Sequence, residues 1–402
     1  MPSVNPEILQ WARETAGLTL EQAADKVDVN PANGMSGEER LAEYESGDRE
    51  PSRPLLRRMA KQYRRPLMVF YMSRVPRAGD RGHDFRTLPQ EHSRADDALV
   101  DALVRDVRAR QEIVKALLLD DEEKATPLEF VGSMNTEAGA EAVANLISQT
   151  LDLDLAQYRD RRFGGFDYLR SRTEEAGIYV LLIGNLGSYH TNIDVELFRG
   201  FAIADPIAPF VVVNDNDAEA AWSFSLLHEI CHVWLGATGV SGVDPASPIE
   251  QFCNDVAARL LLPQGDRQEL LGLRQYRLDE LINEVDDLAR RWQVSRSMVT
   301  YALFRQGVID KDLWRQLSGI FRQRWVEARE ARRDRNREAE GGPNYYVVRK
   351  HRLGDAILRL AERTMAEGTL SPTKASKLLG VKPSNVYRLM DGGVASPPER
   401  AV

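Results

Sequence analysis

The chain has 402 residues, of which 43% are apolar and 28% charged, and a formal net charge of −8. That length predicts roughly two to four domains, the composition excludes a disordered or membrane-embedded chain, and the acidic balance leaves any DNA contact to a local patch. No apolar run approaches the roughly 18 residues of a spanning helix, the opening MPSVNPEILQW has no signal-peptide pattern, and Cys231 and Cys253 are too few for a disulfide framework, so a cytoplasmic protein is expected.

Residues 5–71 read as short helices. PEILQWARETAG is followed by LTLEQAADKV, with Thr19 placed to cap the second helix, then by the turn-rich VNPANGMSG, EERLAEYESG and LLRRMAKQYRRPLMVFYM. TLEQAADKV, YESGDREPS and RMAKQYRRPLMVFY resemble the helix-turn-helix domains of Cro/C1 (Xre) repressors, which gives a first domain over 1–75. The resemblance implies a third helix that reads the major groove. Here that stretch carries Glu38, Glu39, Arg40, Glu43 and Glu45, and carboxylates are repelled by a phosphate-lined groove. Lys61, Arg64 and Arg65 are basic but lie beyond it. A protein-binding or regulatory role is therefore expected for this module ahead of DNA reading.

Residues 76–160 read as a helical connector. A Gly-rich, charged loop (RAGDRGHDFRTLPQ) precedes ADDALVDALVRDVRARQEIVKALLLD and AGAEAVANLISQTL. No chemistry is assigned to it, and His83 is expected at the surface.

The pattern changes inside the next domain, 161–320. GIYVLLIG, RGFAIAD and PFVVVND are β-branched and aromatic runs broken by Gly, Asp and Pro, which predicts three strands of a small sheet. DAEAAWSFSLLHEICHVWLG follows with apolar residues at helical spacing. Strands followed by a buried helix predict an α+β fold: a mainly helical, multidomain chain around a zincin-like core, with helix-turn-helix-like domains on either side.

HEICH is an HExxH motif on a helix. The i, i+4 spacing puts His228 and His232 on one face, where both rings reach one ion. Glu229 projects to the side of the metal as the catalytic base, toward a water that zinc acidifies to a pKa of about 7. A catalytic zinc wants a third protein ligand. The helix SPIEQFCNDVAARLLLP offers Glu250 as the best placed, with Asp244 and Asp255 as rivals. Asn254 shares Glu250's face and can hold a ligating histidine by its second nitrogen.

RGFAIADPIAPFVVVNDNDAEAAWSFSLLHEICHVWLG and EQFCNDVAARLLLP together resemble the ImmA/IrrE family of zinc metallopeptidases, over about 160–310. The family is marked by a strand pair ending in VN, an HExxH helix, and an E-x-x-A-N helix that supplies the third ligand. The match implies His228, His232 and Glu250 for zinc and Glu229 for catalysis; Cys253 stands where the family usually has alanine. The Xre-like head, the FRT at 85–87 and GGPNYY also resemble longer members. Members of this kind cleave helix-turn-helix repressors, switching on mobile-element genes or a DNA-damage response.

An exposed edge strand beside the zinc helix would pair with an extended substrate, and AIAD or FVVVN is expected to supply it. Tyr189 and His190 could serve an oxyanion, although a structural role is expected for both. Cys231 and Cys253 both fall near the metal residues, where a redox role competes with simple burial.

Beyond Pro263, LDELINEVDDLARRWQVSRSMVTYALFRQGVI looks like another helix-turn-helix that packs on the peptidase core. Residues 321–340 read as a charged helical linker with i, i+4 pairs. Residues 341–402 form a last helical, helix-turn-helix-like domain, with Ser371 capping one helix and a second beginning near Pro383. Its Lys374, Lys377 and Lys382, with Ser384, Asn385, Tyr387 and Arg388, make it a better DNA candidate than the head, in balance with a protein-docking role. The tail after Asp391 is expected to be disordered.

The reading is a zinc endopeptidase (Zn2+) of narrow specificity whose protein substrate is a helix-turn-helix repressor, with no membrane partner and DNA left open. The alternative is a non-catalytic transcription regulator or antitoxin-like protein that only holds zinc.

Overall fold

The computed structural model describes residues 3–76, 83–84, 93–121, 126–160, 164–187, 191–241, 247–338 and 344–390. The chain divides into two compact units, one of residues 1–81, 88–107 and 185–193, the other of 82–87, 108–184 and 194–402.

In the first unit four helices, Pro6–Glu14, Leu20–Lys26, Gly37–Ser46 and Arg53–Gln62, precede a 3-10 turn at Leu67–Tyr71. Each helix has its amide ends satisfied by a polar cap. Asn5 and Ser52 accept from the first turns of theirs, and Thr19 and Ser36 make reciprocal capping boxes with Gln22 and Glu39. Ile8, Leu9, Leu41, Leu56, Met59 and Phe70 close the core. Glu45, on the helix expected to read DNA, turns inward and takes both guanidinium donors of Arg13 at 2.8 and 2.9 Å. Arg65 is likewise engaged, 4.1 Å over the Trp11 ring. Neither residue is therefore available at the surface as its sequence position suggested.

The second unit is built on a mixed five-stranded sheet. Its strands are β1 (His83–Asp84), β2 (Tyr179–Leu182), β3 (Gly200–Ile203), β4 (Phe210–Val213) and β5 (Gly239–Ser241), in the order β1-β5-β3-β4-β2. β3 runs antiparallel to β4 and β5, whereas β2–β4 and β1–β5 are parallel pairs. Every residue of β2, β3 and β4 is buried, so both faces of the sheet are covered, which is why these strands read as unbroken apolar runs and not as alternations. β2, β3 and β4 are the three strands the sequence predicts. β3 and β4 are both paired on two sides, so neither supplies the exposed edge expected of AIAD or FVVVN.

Helix Glu219–Trp234, carrying HEICH, packs on β3 and β4, and helix Pro248–Leu261 packs against it and against Ala140–Thr150. Trp234 stacks on Phe130 with ring centroids 4.3 Å apart. Helices Leu278–Trp292 and Arg296–Arg305 add Val285, Leu288, Trp292, Val299 and Leu303 to the same core. The charged run continues as one helix, Lys311–Glu338.

The last helices, Tyr345–Leu353, Asp355–Ala366, Pro372–Leu379 and Val386–Met390, are tied to the sheet by a buried ion pair. Arg170 reaches Glu174 at 3.2 Å, donates to the carbonyls of Val180 (2.6 Å), Arg352 (3.3 Å) and His351, and Glu174 accepts from Ala356 N at 2.9 Å. Among the described residues no helix is long and apolar enough to cross a membrane.

Candidate metal centre

Two helices and one strand meet at HEICH. His228 and His232 lie one turn apart on the buried face of their helix, with Glu229 beside them, and are 5%, 1% and 1% exposed in the order His228, His232, Glu229. Glu250 enters from the first turn of Pro248–Leu261, where Ser247 caps the helix and Pro248 opens it. That cap fixes where the chain starts to turn, and so aims Glu250 at the histidines.

The donor atoms converge tightly. His228 Nε2 lies 3.2 Å from Glu250 Oε2 and 3.2 Å from His232 Nε2, and His232 Nε2 lies 3.0 Å from Glu250 Oε1. Asn254 Oδ1 is 2.9 Å from His228 Nδ1 and accepts its proton, which leaves Nε2 as the atom turned inward. Ser241 of β5 stands 3.4 Å from His232 Nε2. His228, His232 and Glu250 form a buried cluster whose ligand atoms all lie within 4.8 Å of one another.

The electrostatics follow from that crowding. Burial alone would lower the His228 pKa, but the Glu250 hydrogen bond and the charges of Glu229 and Glu250 outweigh it and push it up to about 9. Glu250 is held down to about 2, because the hydrogen bonds and charges of the two histidines overcome its burial. Glu229 is pushed up to about 8, first by burial and then by the Glu250 charge, against the pull of His228 and Ser241. His232 is lowered, chiefly by burial.

The residues fit a divalent cation. Two imidazole nitrogens and a carboxylate converge on one point, the two-histidine, one-glutamate set of a catalytic zinc site. Beside them Glu229 Oε2 is buried without a hydrogen-bond partner among the described residues, and a buried carboxylate oxygen in that state asks for a proton donor such as water.

The sequence-predicted residues His228, Glu229, His232, Glu250 and Asn254 are thus brought together. Asp255 is not; it pairs with Arg305 at 2.7 Å, away from the cluster. Asp244, Tyr189 and His190 lie outside the described residues, as do the side chain of His83, the FRT at 85–87 and the tail from Asp391. Cys231 and Cys253 are both fully buried, and burial raises the Cys253 thiol, helped by a hydrogen bond to Cys231. Sequence reasoning missed Ser241 and β5, because GVS is too short to read as a strand. It also missed Gly200, where a β-carbon would lie 2.8 Å from Cγ and Oε1 of Glu229.

A covered mixed sheet, an HExxH helix and a His–His–Glu cluster define a metallopeptidase-type domain. Residues 174–304, about a third of the chain, match the Peptidase M78 family model, the IrrE N-terminal-like domain. The match supports a peptidase of the ImmA/IrrE kind over that stretch. Its span takes in β2 to β5 and the helices that carry His228, His232, Glu250 and Asn254. Searches of curated proteins and of solved structures gave no match.

Proposed function

We propose that this protein is a zinc-dependent endopeptidase of narrow specificity that cleaves a helix-turn-helix transcriptional repressor and so derepresses mobile-element or stress-response genes. The observation that carries the peptidase reading is the buried convergence of His228, His232 and Glu250 beside the unpartnered Oε2 of Glu229.

His228, His232 and Glu250 are the residues that hold the ion. Zinc in that place supplies Lewis acidity toward the scissile carbonyl and acidifies water to a pKa of about 7. The rest falls to the chain. Glu229 Oε2 takes a proton from the attacking water and passes it to the leaving amine. Asn254 holds the His228 ring in one tautomer. Gly200 leaves room for the Glu229 carboxylate. The Xre-like head, whose exposed Glu38 and Glu39 suit a protein surface better than a phosphate groove, recognises the substrate.

The test is incubation of the full chain, in the presence of zinc, with helix-turn-helix repressors from the same genome, with fragments identified by mass spectrometry. Wild type should cut at one or a few bonds, whereas Glu229→Gln should bind about one zinc and cut nothing. Repressor release that persists in Glu229→Gln would assign the protein to the non-catalytic regulators.

A further inference from the structure

The last two helices carry cations and no carboxylate. Residues 369–390, TLSPTKASKLLGVKPSNVYRLM, include Lys374, Lys377, Lys382 and Arg388 and no Asp or Glu, within a chain of net charge −8.

The fold leaves those cations exposed. Helix Pro372–Leu379 starts on Ser371, whose hydroxyl accepts from Lys374 N, and stops at Gly380, which sits in the left-handed region at φ 60. Arg349 donates to Leu379 O at 2.6 and 2.8 Å, closing the helix end. A β-carbon at Gly380 would fall 1.9 Å from the Arg349 guanidinium, so the turn admits little but glycine. After Val381 and Lys382 the chain re-enters helix through Pro383–Asn385 into Val386–Met390. Ala375, Leu378, Leu379, Val386 and Leu389 are buried, and the pair packs on itself and on Asp355–Ala366. Lys374, Lys377, Lys382, Ser384, Tyr387 and Arg388 are left exposed, Tyr387 by 58%.

Among the described residues no carboxylate lies within ion-pair distance of Lys374, Lys377, Lys382 or Arg388. Arginines elsewhere in this unit are often paired, among them Arg159 with Asp266, Arg291 with Glu269 and Arg305 with Asp255. Two short helices joined by a glycine turn, with the second exposing an aromatic hydroxyl, a serine and an arginine, have the shape and the donors of a major-groove reader.

We propose that this face is a double-stranded DNA site, with Lys382, Ser384, Tyr387 and Arg388 on the second helix side meeting the groove and Lys374 and Lys377 meeting phosphates. The unpaired cations release counterions when phosphates replace solvent, which gives affinity without sequence, and Arg388, Ser384 and Tyr387 supply the base-edge donors. The first unit's counterpart helix, with Glu38 and Glu39 exposed, lacks this complementarity.

The test uses the full chain and a fluorescein-labelled duplex of mixed sequence, about 30 base pairs long, with anisotropy read from about 50 to about 200 mM salt. Wild type should bind, and log K should fall linearly with log salt. Lys374→Glu with Lys377→Glu should weaken binding at least about tenfold and reduce the salt slope by about 2, since each lost phosphate contact removes about 0.9. The neutral pair Lys374→Gln and Lys377→Gln should shift both readouts in the same direction, and unchanged circular dichroism should certify both folds. No binding at the lowest salt overturns the proposal, as does binding that both pairs leave untouched. Equal affinity for poly-glutamate at matched charge also overturns it, and would reassign the face to an acidic protein.

Discussion

A β-carbon at Gly200 would lie 2.8 Å from both Cγ and Oε1 of Glu229, and 2.9 Å from the carbonyl of Val212. Gly200 opens β3, in register with Val213 on one side and Ser241 on the other, so its backbone is pinned by two neighbours. Glu229 therefore has its carboxylate lodged where the strand has no side chain. The requirement is one of space: the strand cannot retreat, and only hydrogen fits.

Gly200→Ala should displace the Glu229 carboxylate while leaving the three metal residues in place. A shift of about 1 Å in a catalytic group costs on the order of 10²-fold in rate. The expected outcome is peptidase activity lowered by about that factor with metal content at the wild-type level, read by mass spectrometry of the native protein. Wild-type turnover in this variant would remove Glu229's position from the account of the site.

Metal affinity should depend on pH with a definite sign. The metal-free cluster holds a proton on His228 at any pH below about 9, and the ion needs that nitrogen bare. Zinc must displace the proton, so apparent affinity should rise as pH rises toward about 9 and level off above it, by up to about tenfold per unit. Calorimetric titration at about pH 7 in two buffers of different ionisation enthalpy should show about one proton released per ion. An affinity unchanged between about pH 6 and pH 8 would mean that His228 does not ligate.

The chemistry of this site was more legible in the chain than its architecture. HEICH and Glu250–Asn254 could be read because helical spacing is local: four residues make one turn, and no distant contact is needed to put His228 above His232 or Asn254 beneath Glu250. β2, β3 and β4 could be read because full burial makes them continuously apolar. The sheet's order could not. β1 and β5 are two and three residues long, with too little sequence to carry a period, and their pairing joins positions more than a hundred residues apart. The same limit hid the interior placement of β3, which depends on β5, while that of β4 depends on its pairing with β2. Gly200 and Ser241 were invisible for a related reason, because their roles are set by contacts with the HEICH helix that only the folded sheet brings about.

One buried ion pair helps attach the last helices to the sheet, alongside Arg352, which reaches Asp215 at 2.6 Å, and it yields a stability test. Arg170 and Glu174 have side chains 7% and 3% exposed, and each also bonds the backbone of the last helices, Arg170 at His351 O and Arg352 O and Glu174 at Ala356 N. Burial pushes the Glu174 carboxyl up and the Arg170 guanidinium down, and each one's charge acts against the other's shift. Removing one partner strands a buried charge, at about 3–5 kcal/mol, whereas removing both leaves no charge to strand. Arg170→Leu should therefore lower unfolding stability in urea by about that amount, and Arg170→Leu with Glu174→Leu should recover part of the loss. Gly354 sharpens the case, since a β-carbon there would fall 2.0 Å from Glu174 Oε1 and 2.6 Å from Arg170 Nη2. A double variant less stable than Arg170→Leu would show that the backbone bonds, and not the charge pair, hold these helices to the sheet.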